Sequence, residues 1–358
     1  MHIAKLALVQ MLIFAVGLAC AEIALRYILP LPVHGGTYHA DGGKSVRIAN
    51  DRFRLKPNLD VTHVASEFSA QIRTNELGYR KQVNESTAPD YLFLGDSFTF
   101  GHGVSDQDTF ASIFCEENKH TCLNLGRSGT NTFSQLQVLK YAIDARGIRP
   151  KTVILVMLAA CWINQSGNDL GDNLKHYRSK NNSSAPGIAA ARFAGTAPLS
   201  SASAKEAVSA DQKSAASQLT NSLLKNIQSW LGELEITKRT MLIVSSRLKS
   251  SLYACSAQES IDAAIASTRV ALTELEQLAT KHQFSVKVFS IHPYQELDGT
   301  FRKTQSNLRT AIPETFEYIA TGQRFRKTHY FPYDGHFNVA GHANMAFVIE
   351  RRLTEKRP

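Results

Sequence analysis

The sequence predicts an α/β fold in which helices cover both faces of a mostly parallel sheet. Apolar runs without polar alternation recur along the chain, namely YLFLG, CLNL, TVILVMLA, TMLIVSS and FSVKVFSI. Segments with helical spacing separate them, at residues 106–117, 132–145, 219–234 and 259–282. Strands that are apolar throughout and alternate with helices are typical of parallel sheets buried on both faces.

The composition divides the chain into three parts. Residues 1–30 form a hydrophobic segment, and residues 31–85 predict a linker followed by extended segments at the edge of a domain. Residues 86–358 carry the strand and helix alternation and predict the main domain. A Ser/Ala-rich stretch at about residues 177–218 interrupts this alternation and indicates an insertion.

The N-terminal segment has an uncharged run of 16 residues from Leu6 to Ala21, preceded by Lys5 and followed by Glu22. A membrane-spanning helix needs roughly 20 apolar residues, so an uncleaved anchor must tolerate charges near its outer end. Cleavage of a signal peptide after the small residues around Cys20 is the alternative, and lipidation of Cys20 is a third. Each interpretation places most of the chain outside the cytoplasm, and the first attaches it to a membrane.

The charge and the cysteines exclude other classes of protein. The formal net charge of +9 is spread along the chain, without a basic run typical of a nucleic-acid groove. The five cysteines lack CxxC spacing and paired histidines, so we expect no metal site and no cofactor. Cys115 and Cys122 either form a disulfide in an oxidising compartment or remain free thiols.

Four polar stretches follow predicted strands or precede the last helix, and we expect them to meet at the carboxyl edge of the sheet. They contain a serine in GDS, glycines in NLGRSGTNT, asparagines in NQSGNDLGDN, and an acid–histidine pair in DGHFNVAGH. Together these groups supply the nucleophile, the base, the acid and the oxyanion donors that acyl transfer through a serine requires.

Each candidate residue has a distinct chemical role. Ser97 needs a base to remove its proton, and His336 is the candidate base. Asp334 can orient the imidazole and stabilise its positive charge. The backbone N–H groups of Ser97 and Gly129 and the side-chain amide of Asn168 can form an oxyanion hole.

These stretches resemble the four sequence blocks of the SGNH (GDSL-type) hydrolase superfamily. GDSFTFG supplies Ser97, NLGRSGTNT supplies Gly129, SGNDLGDN supplies Asn168, and DGHFNVAGH supplies Asp334 and His336. The resemblance covers roughly residues 91–349, and AEIALRYILP and TNELGYR also resemble a membrane-anchored bacterial subgroup. It implies a three-layer α/β/α fold of the flavodoxin-like type and ester or acyl hydrolysis without a metal.

Two features depart from the pattern of that superfamily. Only Gly335 separates Asp334 from His336, where two residues are usual. The third block lies far from the end of its strand, so Asn164 rivals Asn168 as the oxyanion donor.

The sequence therefore predicts a serine esterase or acyl hydrolase acting on an envelope lipid or an acylated glycan. An O-acyltransferase of envelope polysaccharide would use the same residues and the same acyl-enzyme. A non-catalytic envelope assembly protein is the alternative from another class.

Overall fold

The computed structural model describes residues 2–27, 36–51, 54–160, 169–183, 256–297 and 307–354. They belong to two compact units. One unit contains the N-terminal helix α1 (His2–Tyr27), and the other contains every further described element.

No helix in these described ranges combines the length and the apolar composition needed to cross a membrane. The membrane anchor expected within residues 1–30 stays a prediction.

A small antiparallel sheet precedes the main one. It consists of β1 (Thr37–His39), β2 (Asp60–Val64) and β3 (Ser69–Arg73), in that order. The three strands fall within residues 31–85 and lie in the same compact unit as the central sheet. Buried and more exposed residues alternate along β2 and β3, so only one face of each strand is buried.

The central sheet has five parallel strands. They are β4 (Tyr91–Gly95), β5 (Cys122–Asn124), β6 (Thr152–Leu158), β7 (Ser285–Ile291) and β8 (Glu317–Ala320). Their spatial order is β5-β4-β6-β7-β8, and all four pairings are parallel. This order is the flavodoxin-like 2-1-3-4-5 arrangement. The structure confirms the predicted α/β fold with a parallel central sheet.

Helices cover both faces of this sheet. They are α2 (Ser97–Phe100), α3 (Phe110–Glu117), α4 (Thr132–Arg146), α5 (Asp169–Ser183), α6 (Gln258–His282) and α7 (Val339–Thr354). Leu92 and Leu94 of β4 pack in one core with α4 and α6. Phe93 points to the other face and packs in a second core with α3 and α7. Successive strand residues thus bury opposite faces, which explains why the strand sequences are apolar throughout.

Parts of the predicted pattern lie outside the described residues. They include the helix at 219–234, the strand at 240–246 and residues 184–218 of the predicted insertion. Residues 177–183, at the start of the predicted insertion, form the last turns of α5.

A disulfide joins Cys115 near the end of α3 to Cys122 at the start of β5, with the two Cα atoms 6.3 Å apart. It closes the short polar connection between these elements, on the face of the sheet that α3 covers.

Candidate active site

The site begins at the carboxyl end of β4. This strand lies between β5 and β6, where the order of the strands reverses, and such a point forms a crevice in α/β sheets. Gly95 ends the strand, and Ser97 begins α2 after one intervening residue. A Cβ atom on Gly95 would lie 2.7 Å from the Val156 carbonyl oxygen and even closer to Thr99, so the tight turn requires glycine.

Asp96 caps this short helix. Its Oδ1 accepts a hydrogen bond from the Phe98 backbone N–H at 2.9 Å, which stabilises the turn that presents Ser97. Burial raises the pKa of Asp96 to about 7, against the opposing effect of backbone hydrogen bonds.

Ser97, His336 and Asp334 form a continuous relay. The Ser97 Oγ lies 2.7 Å from His336 Nε2, and His336 Nδ1 lies 2.5 Å from Asp334 Oδ1. An imidazole with its proton on Nδ1 donates to the carboxylate and leaves Nε2 free to accept the serine proton. The structure therefore brings together the three residues that the sequence predicted as nucleophile, base and orienting acid.

The single residue between Asp334 and His336 has a left-handed backbone. Gly335 has a φ of +88°, a conformation that glycine adopts without the steric cost of a side chain. The turn is closed by two hydrogen bonds, from Phe331 N–H to His336 O at 2.8 Å and from Gly335 N–H to Phe331 O at 2.9 Å. The acid and the histidine can therefore meet with one residue fewer than the usual spacing.

A second imidazole also faces the Asp334 carboxylate. Besides His336, the His102 Nε2 lies 3.5 Å from Asp334 Oδ2. Burial alone would raise the pKa of Asp334, but the hydrogen bonds and charges of His102 and His336 outweigh it and hold that pKa well below its ordinary value. The carboxylate consequently stays ionised, as an orienting acid requires.

The loop that carries Asp334 is held by the turn between β2 and β3. The Glu67 carboxylate accepts the Asp334 N–H at 2.7 Å and the Tyr333 N–H at 3.1 Å. The small sheet thus contacts the candidate site through a side chain that is 267 residues distant in the sequence.

Gly129 lies on the loop between β5 and α4. Its φ is +72°, and a Cβ atom there would meet nothing within 4 Å. The loop is tied to the end of β4, because the Arg127 N–H donates to the Gly95 carbonyl oxygen at 3.0 Å. Gly129 therefore lies on a loop joined to the nucleophile turn, and its oxyanion role stays a prediction.

Asn164 and Asn168 both lie outside the described residues, so the choice between them as oxyanion donor is untested. The two ends of the segment that contains them are described. Asp169 Oδ2 accepts the Leu158 N–H at 2.8 Å, and its Oδ1 accepts from Gln135 Nε2 at 3.2 Å. Burial, followed by the charge of Asp96, raises the pKa of Asp169.

Three residues of this arrangement were not predicted to have a role: Glu67, His102 and Asp169. The sequence shows His102 near Ser97 but not its contact with Asp334, which comes from a distant loop. No local sequence pattern indicates a role for Glu67. For Asp169 the only indication in the sequence is its position at the start of a helix. Their contacts all depend on tertiary structure.

Within the described part of the chain, His102, Asp334 and His336 offer potential metal-ligating atoms within 4.8 Å of one another. Two of these three residues already face each other in the relay. A cavity of about 720 Å³ lies elsewhere, along β7 and β8, and none of the relay residues lines it. The relay is the candidate site, because it places a nucleophile, a base and an acid in reacting geometry.

Comparisons with known proteins give distant likenesses only. No family model and no curated protein matches the chain. One similar solved structure is a putative lipolytic protein of the G-D-S-L family from Desulfitobacterium hafniense DCB-2, with 8% identity and a TM-score of 0.36, covering 72% of this chain and 98% of that chain. Another is an alpha/beta hydrolase enzyme from the metagenome of Lake Arreo, with 11% identity and a TM-score of 0.36, covering 76% of this chain and 99% of that chain. A third is an acetylxylan esterase from Geobacillus stearothermophilus, with 12% identity and a TM-score of 0.36, covering 77% of this chain and 98% of that chain. At these low scores the likenesses carry no argument about function.

Proposed function

We propose that this protein is a serine-dependent esterase of the SGNH type, which cleaves carboxylic esters of an envelope lipid or an acylated glycan. The observation that carries the proposal is the relay from Ser97 through His336 to Asp334, with contacts of 2.7 and 2.5 Å. A hydroxyl, an imidazole and a buried carboxylate in this order are the requirements for a serine nucleophile.

In the first half of the reaction, Ser97 Oγ attacks the ester carbonyl carbon while His336 Nε2 takes the hydroxyl proton. The tetrahedral intermediate carries an oxyanion, which the N–H groups of Ser97 and Gly129 and the amide of Asn168 or Asn164 are proposed to bind. The ester C–O bond then breaks, and the leaving alcohol receives the proton from His336. The acyl group remains on Ser97.

In the second half, His336 takes a proton from water as the water attacks the acyl-enzyme. Collapse of the second tetrahedral intermediate returns that proton to Ser97 Oγ and releases the carboxylic acid. Asp334 stays ionised throughout and stabilises the imidazolium form of His336.

We also propose that the catalytic domain works outside the cytoplasm. The disulfide between Cys115 and Cys122 supports this, because disulfides form and persist mainly in oxidising compartments. The substrate classes named above would be found there.

Replacement of the nucleophile tests the function. We expect Ser97→Ala to lower kcat for p-nitrophenyl acetate about 1,000-fold or more, and to abolish labelling by a fluorophosphonate probe. Ser128→Ala is the matched control, since this exposed serine lies on the neighbouring loop and should keep full activity. Full turnover by Ser97→Ala would refute the mechanism.

The same assay distinguishes hydrolysis from transfer. Products are analysed with water alone and with an added glycan acceptor. Free acid in both cases supports the esterase, whereas acylated glycan as the main product would assign the protein to the acyltransferases.

A further inference from the structure

His102 lies directly behind the relay. It follows α2 in a loop between Gly101 and Gly103, whose φ values of +84° and +82° are both left-handed. The His102 side chain is only 9% exposed, and its Nε2 lies 3.5 Å from Asp334 Oδ2, a contact longer than an ordinary hydrogen bond. The other oxygen of the same carboxylate faces His336. The Asp334 carboxylate therefore lies between two imidazoles.

The orientation of the His102 ring is fixed by its neighbours. It stacks on the His336 ring, with centroids 4.3 Å apart and an interplanar angle of 30°. The rings of His63 and Phe68 contact it edge-on, at centroid distances of 4.6 and 5.4 Å. A ring held in this way cannot easily rotate its nitrogen away from the carboxylate.

The loop that carries His102 is fixed by hydrogen bonds. The buried Arg80 guanidinium donates to the carbonyl oxygens of Phe100 at 3.0 Å, Gly101 at 3.2 Å and Val104 at 2.8 Å. These bonds fix the backbone on both sides of His102. A fixed donor aimed at a catalytic carboxylate can limit the rotation of that carboxylate.

The charge state of His102 suits such a role. Burial lowers the pKa of His102, although the neighbouring Asp334 carboxylate opposes this effect, and the lowered pKa favours the neutral imidazole. A neutral ring can donate one N–H to Asp334 without adding a positive charge beside His336. This matters because His336 itself becomes positive when it takes the Ser97 proton.

We propose that His102 is a positioning residue whose Nε2–H holds Asp334 so that Oδ1 stays aligned with His336. This inference rests on the proposed function, since it assigns His102 a part in the same relay. Glu67 holds the backbone of Asp334, and His102 holds the side chain.

Three substitutions separate the N–H donor from the ring. His102→Ala removes both, His102→Phe keeps an aromatic ring without the donor, and His102→Gln keeps an N–H donor without the ring. We expect the Ala and Phe variants to lower kcat about 10- to 100-fold with KM changed less than about threefold, because a misaligned catalytic group costs rate more than binding. We expect the Gln variant to recover a substantial part of the lost kcat.

The controls use the same ester assay. His120→Ala removes an imidazole that packs on Tyr91 and Phe114, away from the relay, and should leave kcat unchanged. Melting temperatures show whether each variant is folded, and the Phe and Gln variants keep the comparison valid if the Ala variant does not fold.

The positioning role is wrong if His102→Phe keeps the wild-type kcat. It is also wrong if the kcat of His102→Gln is no higher than that of His102→Phe. Ser97→Ala is measured in parallel. If Ser97→Ala is inactive while His102→Phe is normal, the positioning role fails and the proposed function stands. If Ser97→Ala is fully active, the proposed function itself fails.

Discussion

Gly335 shows how one backbone conformation adapts the relay to an unusual spacing. Its left-handed φ of +88° turns the chain so that Asp334 and His336 meet across a single residue. Another residue type would pay about 1–2 kcal/mol for this conformation. A Cβ atom at this position would come no closer than 3.9 Å to Tyr294, so the constraint is conformational and not steric crowding.

We expect Gly335→Ala to lower kcat/KM about tenfold or more, because the strained turn would relax and move Asp334 away from His336. The measurement is steady-state ester hydrolysis together with a melting curve. Gly147→Ala is a matched control, since Gly147 is also left-handed at +68° and a Cβ atom there meets nothing within 4 Å. The control should lose only stability, whereas equal effects of both variants on kcat/KM would contradict the assigned role.

At the level of elements, the turn between β2 and β3 is part of the candidate site. It delivers Glu67 to the backbone N–H groups of Tyr333 and Asp334, and it places Phe68 against Phe331 of the same loop, with centroids 5.1 Å apart. The small antiparallel sheet therefore supports the loop that carries the acid and the base.

We expect Glu67→Ala to lower kcat about tenfold, since the Asp334 N–H loses its acceptor and the loop loses a fixed position. Glu67→Gln keeps one acceptor oxygen and should lose less. The exposed Glu76 lies near β3, and Glu76→Ala serves as the control in the same kcat measurement. Unchanged kcat in Glu67→Ala would show that the loop holds its geometry without this contact.

The sequence predicted the elements better than the contacts between them. The apolar runs of β4 and β6 and the start of α7 at Val339 follow from local periodicity. Ser97, Asp334 and His336 could be proposed because each lies in a recognisable block. Glu67 and His102 could not be assigned, because their partner is Asp334, more than 200 residues away, and no local pattern encodes such a contact.

At the scale of the whole molecule, a buried ion pair joins the small sheet to the nucleophile region. The Arg80 Nε lies 2.6 Å from Asp106 Oδ1, and the Arg80 side chain is fully buried. Asp106 also pairs with Arg73 of β3 at 2.8 Å. Arg80 thus contacts the loop after α2 while its partner contacts the small sheet.

We expect Arg80→Met to lower the free energy of unfolding by about 3–5 kcal/mol, because it leaves Asp106 buried with one partner fewer. The double variant with Asp106→Asn should lose less than the sum of the single losses, as urea unfolding and a double-mutant cycle would show. Lys151→Met breaks an exposed pair with Asp90 and should cost at most about 1 kcal/mol. If Arg80→Met also lowered the free energy of unfolding by only about 1 kcal/mol, the Arg80–Asp106 pair would not be what holds the small sheet to the loop after α2.

The contacts of Asp169 have a consequence for which substitutions such a protein tolerates. By accepting the Leu158 N–H, this carboxylate joins the end of β6 to the start of α5, and Gln135 joins the same carboxylate to α4. A single substitution at this buried position would therefore disconnect three elements at once. We expect evolutionary drift to be slow at Asp169 for this reason.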